Sequence, residues 1–211
     1  MSTRRYESRV RAQSAAQTRT DVLDAAQRLF VDQGYSSTTL QQVAVAAGVS
    51  VQTVYGQGSK ASLMTAILQR AFTGDEEHVS LLARPEFAAI MAEENTSRAL
   101  DGYVEFVVSA NSRIADLHHA AALAADSDHS IGEELERSEL RRIDDIRRGM
   151  PWFVGRQLLP PDDTDEFADV LSYLTSPQTH RYFTVERRWS TDAVARWLRT
   201  AIDSHLASPP Q

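Results

Sequence analysis

"STTLQQVAVAAGVSVQTVYGQGSK", Ser37 to Lys60, decides how the whole chain is read. In its first half Thr38 or Thr39 can cap a helix, Leu40, Val43, Ala44 and Ala47 recur at helical spacing, and Gly48 supplies a stop. Ser50 can cap a further helix of about two turns. Two short helices joined by the tight "AGVS" turn match a helix-turn-helix, whose second helix enters the major groove of DNA. Val49 and Val54 are expected to pack inward on Leu40, Val43 and Ala44, leaving Val51, Gln52, Thr53 and Tyr55 to face outward. A glutamine can pair in a bidentate way with adenine, valine and threonine can meet a thymine methyl, and a tyrosine hydroxyl or lysine ammonium suits a phosphate oxygen. A small helical bundle with polar residues facing water gives the same pattern.

The surroundings are helical as well. In "TDVLDAAQRLFVDQGY", Thr20 to Tyr35, the residues Val22, Ala25, Ala26, Leu29 and Phe30 form one apolar face and Gly34 ends it. Ser59 can cap a fourth helix that carries Leu63, Ile67 and Leu68. The expected fold is all-α: a basic flexible arm over 1–19, a helix-turn-helix DNA-binding domain over 20–72, and an α-helical ligand-binding and dimerisation domain over 73–211. Charge divides along the same line. Through residue 60 there are seven basic against four acidic residues, while the remainder has 15 basic and 25 acidic within an overall net charge of −7. A basic head on an acidic body suits a head that meets a polyanion. The arm is read as a solvated tail that orders on DNA.

The composition excludes several chemistries. Without cysteine there is no disulfide framework, thiolate metal site or cysteine nucleophile, which favours the cytoplasm. The start "MSTRRYESRVRAQ" has no hydrophobic segment after its arginines, so no standard secretion signal is expected. No phosphate-binding glycine loop, nucleophile elbow, zinc-protease motif or Glu-x-x-His pair occurs. His118, His119, His129, Asp126 and Asp128 have no recognised metal-ligand spacing, and neither metal nor cofactor is expected.

From Thr20 to Phe72 the chain resembles the DNA-binding head of the TetR family of bacterial transcriptional repressors. Ala25-Ala26, Leu29-Phe30, Gly34-Tyr35, Thr38-Thr39, Val43-Ala44, Ala47-Gly48-Val49-Ser50, Thr53, Tyr55 and Lys60 fall where that family's pattern puts them. The resemblance implies a homodimer on a palindromic DNA operator, released when the body binds a small molecule. It also implies that Thr38 or Thr39, Tyr55 and Lys60 hold phosphates while Gln52 and its neighbours Ser50, Val51 and Thr53 read bases. One departure stands out: "YGQGSK" is one residue short, and the phenylalanine usual between Gln57 and Gly58 is missing. Its loss is expected to cost stability or to shift the third helix. The alternatives are a ligand-binding helical protein whose DNA binding is weakened or lost, and a helical enzyme.

The segment 165–206 resembles the last two major helices of a subgroup of that family. Phe167, Val170, Leu171 and Leu174 form one apolar stripe, and Val194, Trp197, Leu198, Ala201 and Ile202 another. Two such stripes suit a four-helix dimer interface, or a core inside one subunit; the resemblance favours the dimer. In the middle of the body, Leu100, Val104, Val107, Asn111, Ile114 and His118 recur in steps of four and three, so two polar side chains interrupt an apolar face. Buried polar groups need partners, and a ligand is one; another helix or water is the other. Tyr103, Phe106, Asn111, His118 and Trp152 are the expected ligand-binding residues.

Overall fold

The computed structural model describes the backbone of residues 3–73 and 80–206 and the side chains of 13–71 and 80–206. Helix α1 (Thr3–Asp32) buries Val22, Leu23, Ala25, Ala26 and Phe30 along one side. It begins at Thr3 and not near Thr20, so residues 3–19 of the expected arm continue the helix. Gly34 then turns the chain with a φ of 86°, a left-handed conformation that glycine adopts at least cost. Helix α2 (Leu40–Ala47) opens on a reciprocal cap, in which Thr39 accepts the Gln42 N–H and the Gln42 side chain returns to the Thr39 backbone. Gly48, at φ 68°, closes it. Helices α3 (Val51–Gln57) and α4 (Lys60–Thr73) complete the head.

The body comprises α5 (Pro85–Ala92), α6 (Thr96–Ala125), α7 (His129–Gly155), α8 (Thr164–Leu174), α9 (Pro177–Arg181) and α10 (Thr191–Leu206). A π turn, Tyr182–Glu186, follows α9 directly. Helix α6 is the spine and packs against α1, α4, α5, α7, α9 and α10. Among the described residues there is no strand, and none of the helices is long and apolar enough to cross a membrane. The all-α fold expected from the periodicity is the one found.

Two apolar clusters fill the interior. In the first, Leu117, Ala121 and Ala124 of α6 and Ile131 of α7 join Phe30, Val43, Val54 and Leu63, so the head and the near ends of α6 and α7 share a core. Burial of a leucine or isoleucine contributes about 1.5–3 kcal/mol, and such contacts fix the head on the body more firmly than single surface bonds would. The second cluster unites Leu100, Val104, Met150, Phe153, Phe167, Leu171, Val194, Leu198 and Ile202. That corrects one expectation: the most apolar members of the two C-terminal stripes are buried within the chain and are not free to meet a partner. Their flanks, Val170, Leu174, Trp197 and Ala201, stay partly open beside exposed Tyr173, Tyr182, Val185 and Trp189.

Candidate functional site

Local sequence fixes the outer face of α3. Ser50 Oγ accepts the Thr53 N–H at 3.0 Å and lies 2.8 Å from Thr53 Oγ1, closing the first turn. Val54 is fully buried, and the half-turn opposite leaves Gln52 exposed and Tyr55 60% exposed. Thr39 stands exposed at the start of α2. Gln52, Tyr55, Thr39 and Ser50 are therefore available to a ligand as large as DNA. Val51 is not fully outward as expected, because it packs partly on the head's core. Thr38 points inward: its hydroxyl donates to the carbonyls of Gly34 (2.9 Å) and Leu29 (3.3 Å) and accepts from Gln33 (3.2 Å).

Lys60 also turns inward. Its Nζ donates to the backbone carbonyls of Tyr35 (3.0 Å) and Thr38 (3.1 Å) and sits 4.2 Å from the centre of the Tyr35 ring. The lysine assigned to phosphate thus clamps the turn between α1 and α2. The same Tyr35 reaches the body, where its hydroxyl donates to Asp128 Oδ2 at 2.6 Å across 93 residues of sequence. Burial, with the hydrogen bond and negative charge of Asp128 adding to it, raises the Tyr35 phenol well above its ordinary value. Hydrogen bonds from Ser130 and Tyr35 hold Asp128 below the usual carboxylate range. Nothing local in the sequence pointed to this join between the head and the loop that connects α6 to α7.

The shortened connection after α3 is spanned by Gly58 at φ 130°, ψ −175°. A Cβ built there would lie 2.2 Å from Ser62 Oγ. Arg19 supports the same corner by donating to the carbonyl and the side-chain oxygen of Gln57, both at 3.3 Å. The absent phenylalanine is thus answered by a backbone conformation open to glycine. Gly58→Ala is expected to destabilise the protein by about 1–2 kcal/mol, read as a lower urea midpoint, whereas Gly56→Ala, with open space around it and no strained φ, should not.

A cavity of about 350 Å³ lies between α4, α5, α6, α7 and α8. Tyr103, Phe106, Asn111, His118 and Trp152 all line it. Asn111 has a protein partner, since its Nδ2 donates to the Thr175 carbonyl at 2.9 Å. Arg142 is paired with Glu139 at 2.6 Å and donates to Thr175 Oγ1 at 3.4 Å. Burial pushes the Tyr103 phenol up to about 12 against the opposing influence of Arg142 and a hydrogen bond with Thr175. Burial likewise lowers His118, with Glu139 opposing. Trp152 donates its indole N–H to the Met91 carbonyl at 2.8 Å. Sequence periodicity found the α6 side of this wall; Glu139, Arg142 and Thr175 were missed because a mixed-charge helix face and a loop threonine carry no periodic signal. Among the described residues no three histidine, aspartate or glutamate side chains gather as a metal site.

Comparison with known proteins places this architecture. Residues 22–67 match the model for bacterial regulatory proteins of the tetR family. No curated protein matches the chain. A crystal structure described as a TetR-family transcriptional regulator from Syntrophomonas wolfei has a TM-score of 0.72 at 12% identity, with 92% of this chain and 96% of that one covered. One from Mesorhizobium loti has a TM-score of 0.71 at 19% identity with the same coverage. The structure of SmeT in complex with triclosan has a TM-score of 0.67 at 16% identity, again with 92% and 96% covered. Residues 22–67, the segment that builds the helix-turn-helix, thus match the model of the tetR family of bacterial regulatory proteins, and the whole chain shares its fold with solved structures described as regulators of that family.

Proposed function

We propose that the protein is a ligand-released repressor: a homodimer whose paired α3 helices bind a palindromic operator, and whose body lets go of DNA when a small molecule fills the cavity. The observation that carries this reading is the pairing of a capped α3, exposing Gln52 and Tyr55, with a body cavity whose walls α6 and α7 also meet the head. Gln52 reads a base edge; Thr39, Ser50, Thr53 and Tyr55 hold phosphates or flank the base contact; Thr38 and Lys60 act behind them by shaping the turn. The partly open face of Val170, Leu174, Trp197 and Ala201 with Tyr173 and Trp189 joins the two copies. The triclosan bound to SmeT supports a body of this fold that accepts small molecules.

The test is selection of bound DNA from a random pool, followed by gel shifts at several salt concentrations. A two-fold symmetric site with a steep salt dependence is the expected result. A protein that selects no sequence and shows no salt-sensitive shift has lost DNA binding, and the sensing body would then stand alone. On the selected site, Gln52→Ala should relax base preference at one position of each half-site, a loss of about 1–2 kcal/mol. Unchanged preference in that variant would place Gln52 outside the groove.

A further inference from the structure

The cavity's shape and charge narrow what it can hold, if the body is the ligand sensor proposed above. Its wall on α6 runs from Ala99 to His118 and on α7 from Glu134 to Phe153. At 1.5 Å per residue each stretch extends roughly 28 Å, so a volume of about 350 Å³ is drawn out along the helices and is slender. The end near α5 is apolar: Phe87 lies edge-on to Tyr103 (6.0 Å) and Phe106 (5.4 Å), and Trp152 edge-on to Phe153 (5.0 Å).

Three of the four carboxylates in the wall are paired with its three arginines. Arg141 pairs with Glu134 at 2.8 Å, Arg142 with Glu139 at 2.6 Å and Arg148 with Asp144 at 2.8 Å, all within α7. The remaining carboxylate, Asp145, accepts the Ser80 hydroxyl at 2.6 Å and the Leu81 N–H at 2.9 Å. An anion would have to break an arginine pair, and a cation would have to displace Ser80 and Leu81 from Asp145; either gives up its hydration and costs hydrogen bonds already made. Of the polar groups lining the cavity on this side, buried Asn111 and Thr175 and part-buried Tyr103, Arg142 and His118, the first four have hydrogen-bond partners in the protein. His118 makes no hydrogen bond with a described residue. A neutral imidazole carries one donor and one acceptor nitrogen, and a hydroxyl can serve either.

We propose that the cavity binds a slender, uncharged molecule, an extended apolar chain with a hydroxyl at one end, the hydroxyl bonded to His118 and the chain running along α6 toward Phe106 and Trp152. The lowered basicity of His118 fits this, since a neutral ring at neutral pH calls for no charge on its partner.

Calorimetry on the full-length protein with four probes below their micelle-forming concentrations tests it: 1-decanol, decanoate, decylammonium and the compact alcohol 1-adamantanol. Decanol is expected to bind about tenfold tighter than each of the others, and His118→Leu should reduce decanol affinity several-fold while retaining the helical signal of the parent. Decanoate or decylammonium binding tighter than decanol overturns the uncharged class, and adamantanol matching decanol overturns the slender shape. If His118→Leu folds and binds decanol as the parent does, His118 is not the polar contact; if it does not fold, the wild-type ranking of the four probes decides. Binding of none of the four, with operator binding intact, removes the cavity as a sensor altogether and so strikes the underlying reading rather than the ligand class alone.

Discussion

Lys60→Ala is expected to lower the protein's stability by about 2–4 kcal/mol. The ammonium is the common donor to the Tyr35 and Thr38 carbonyls and lies over the Tyr35 ring. A hydrogen bond from a charged donor contributes about 1.5–3 kcal/mol, and a cation over an aromatic face at a partly exposed site about 0.5–1 kcal/mol. Water can reach part of this site, so the contributions do not simply add. Urea unfolding of Lys60→Ala, Lys60→Arg and the parent measures it. The arginine variant should fall between, because its charge survives while its planar head cannot aim at two carbonyls in the same way. A residue that served only to hold a phosphate would behave otherwise. Its removal would change stability by less than about 0.5 kcal/mol and would lower the salt slope of DNA binding by about 1. Here the salt slope of the folded variant should stay where it is.

The case of Lys60 shows what the sequence can and cannot convey. Helix ends in the head were legible because their causes are local: Thr39 and Ser50 cap within three residues, and Gly34 and Gly48 sit at left-handed φ immediately after a helix. The choice between Thr38 and Thr39 was not legible. Both are good caps by type, and only the packing of α1 against α2 turns Thr38 toward Leu29 and Gly34. Lys60 has the right type and place for a phosphate contact, yet its direction is set by carbonyls more than twenty residues earlier.

The body repeats the contrast. The stripe of Leu100, Val104, Val107, Asn111, Ile114 and His118 was visible as a period, and all of it but Val104, which joins the second cluster, lies along the cavity, because α6 runs unbroken through it. The period could not say what Asn111 meets, and its partner proves to be a carbonyl of the loop after α8. Nor could it say on which side the C-terminal stripes are covered. An amphipathic helix buries its apolar face against whatever is nearest, and for Phe167, Leu171, Val194, Leu198 and Ile202 that is the second cluster of the same chain. The dimer proposed for this protein must therefore use the flanking residues.

The second large effect is expected where the head meets the body. Tyr35→Phe should destabilise the protein by about 1.5–3 kcal/mol, since it removes a phenol that donates to a carboxylate at 2.6 Å. Asp128→Ala should cost more, because Asp128 also caps α7 by accepting the Ser130 N–H and hydroxyl, and the double variant little more than Asp128→Ala alone, giving a coupling energy of about 1–2 kcal/mol in a double-mutant cycle. Additive losses would mean that the two side chains stabilise the fold separately. The pH dependence has a definite sign at each end. Tyr35 is raised in the folded protein, so its contribution is present below the ordinary phenol value of 10.0 and is lost as pH rises beyond it. Asp128 is lowered, so its contribution is present above the ordinary carboxylate value of 3.8 and fades as pH falls through the folded value. Lys60 and Ser130 face the same pair and favour the ionised Asp128. The stability gap between the parent and Tyr35→Phe should then be flat near neutrality and narrow toward both extremes. Because α6 and α7 line the cavity and their connecting loop carries Asp128, the join lies on the route between the cavity and the head. If a ligand acts by favouring the arrangement in which this bond is altered, Tyr35→Phe will shift the ligand concentration needed for DNA release and leave the base preference unchanged. Gel shifts with the selected operator and a titrated ligand read both quantities; a change in base preference instead would assign Tyr35 to the groove side of the head.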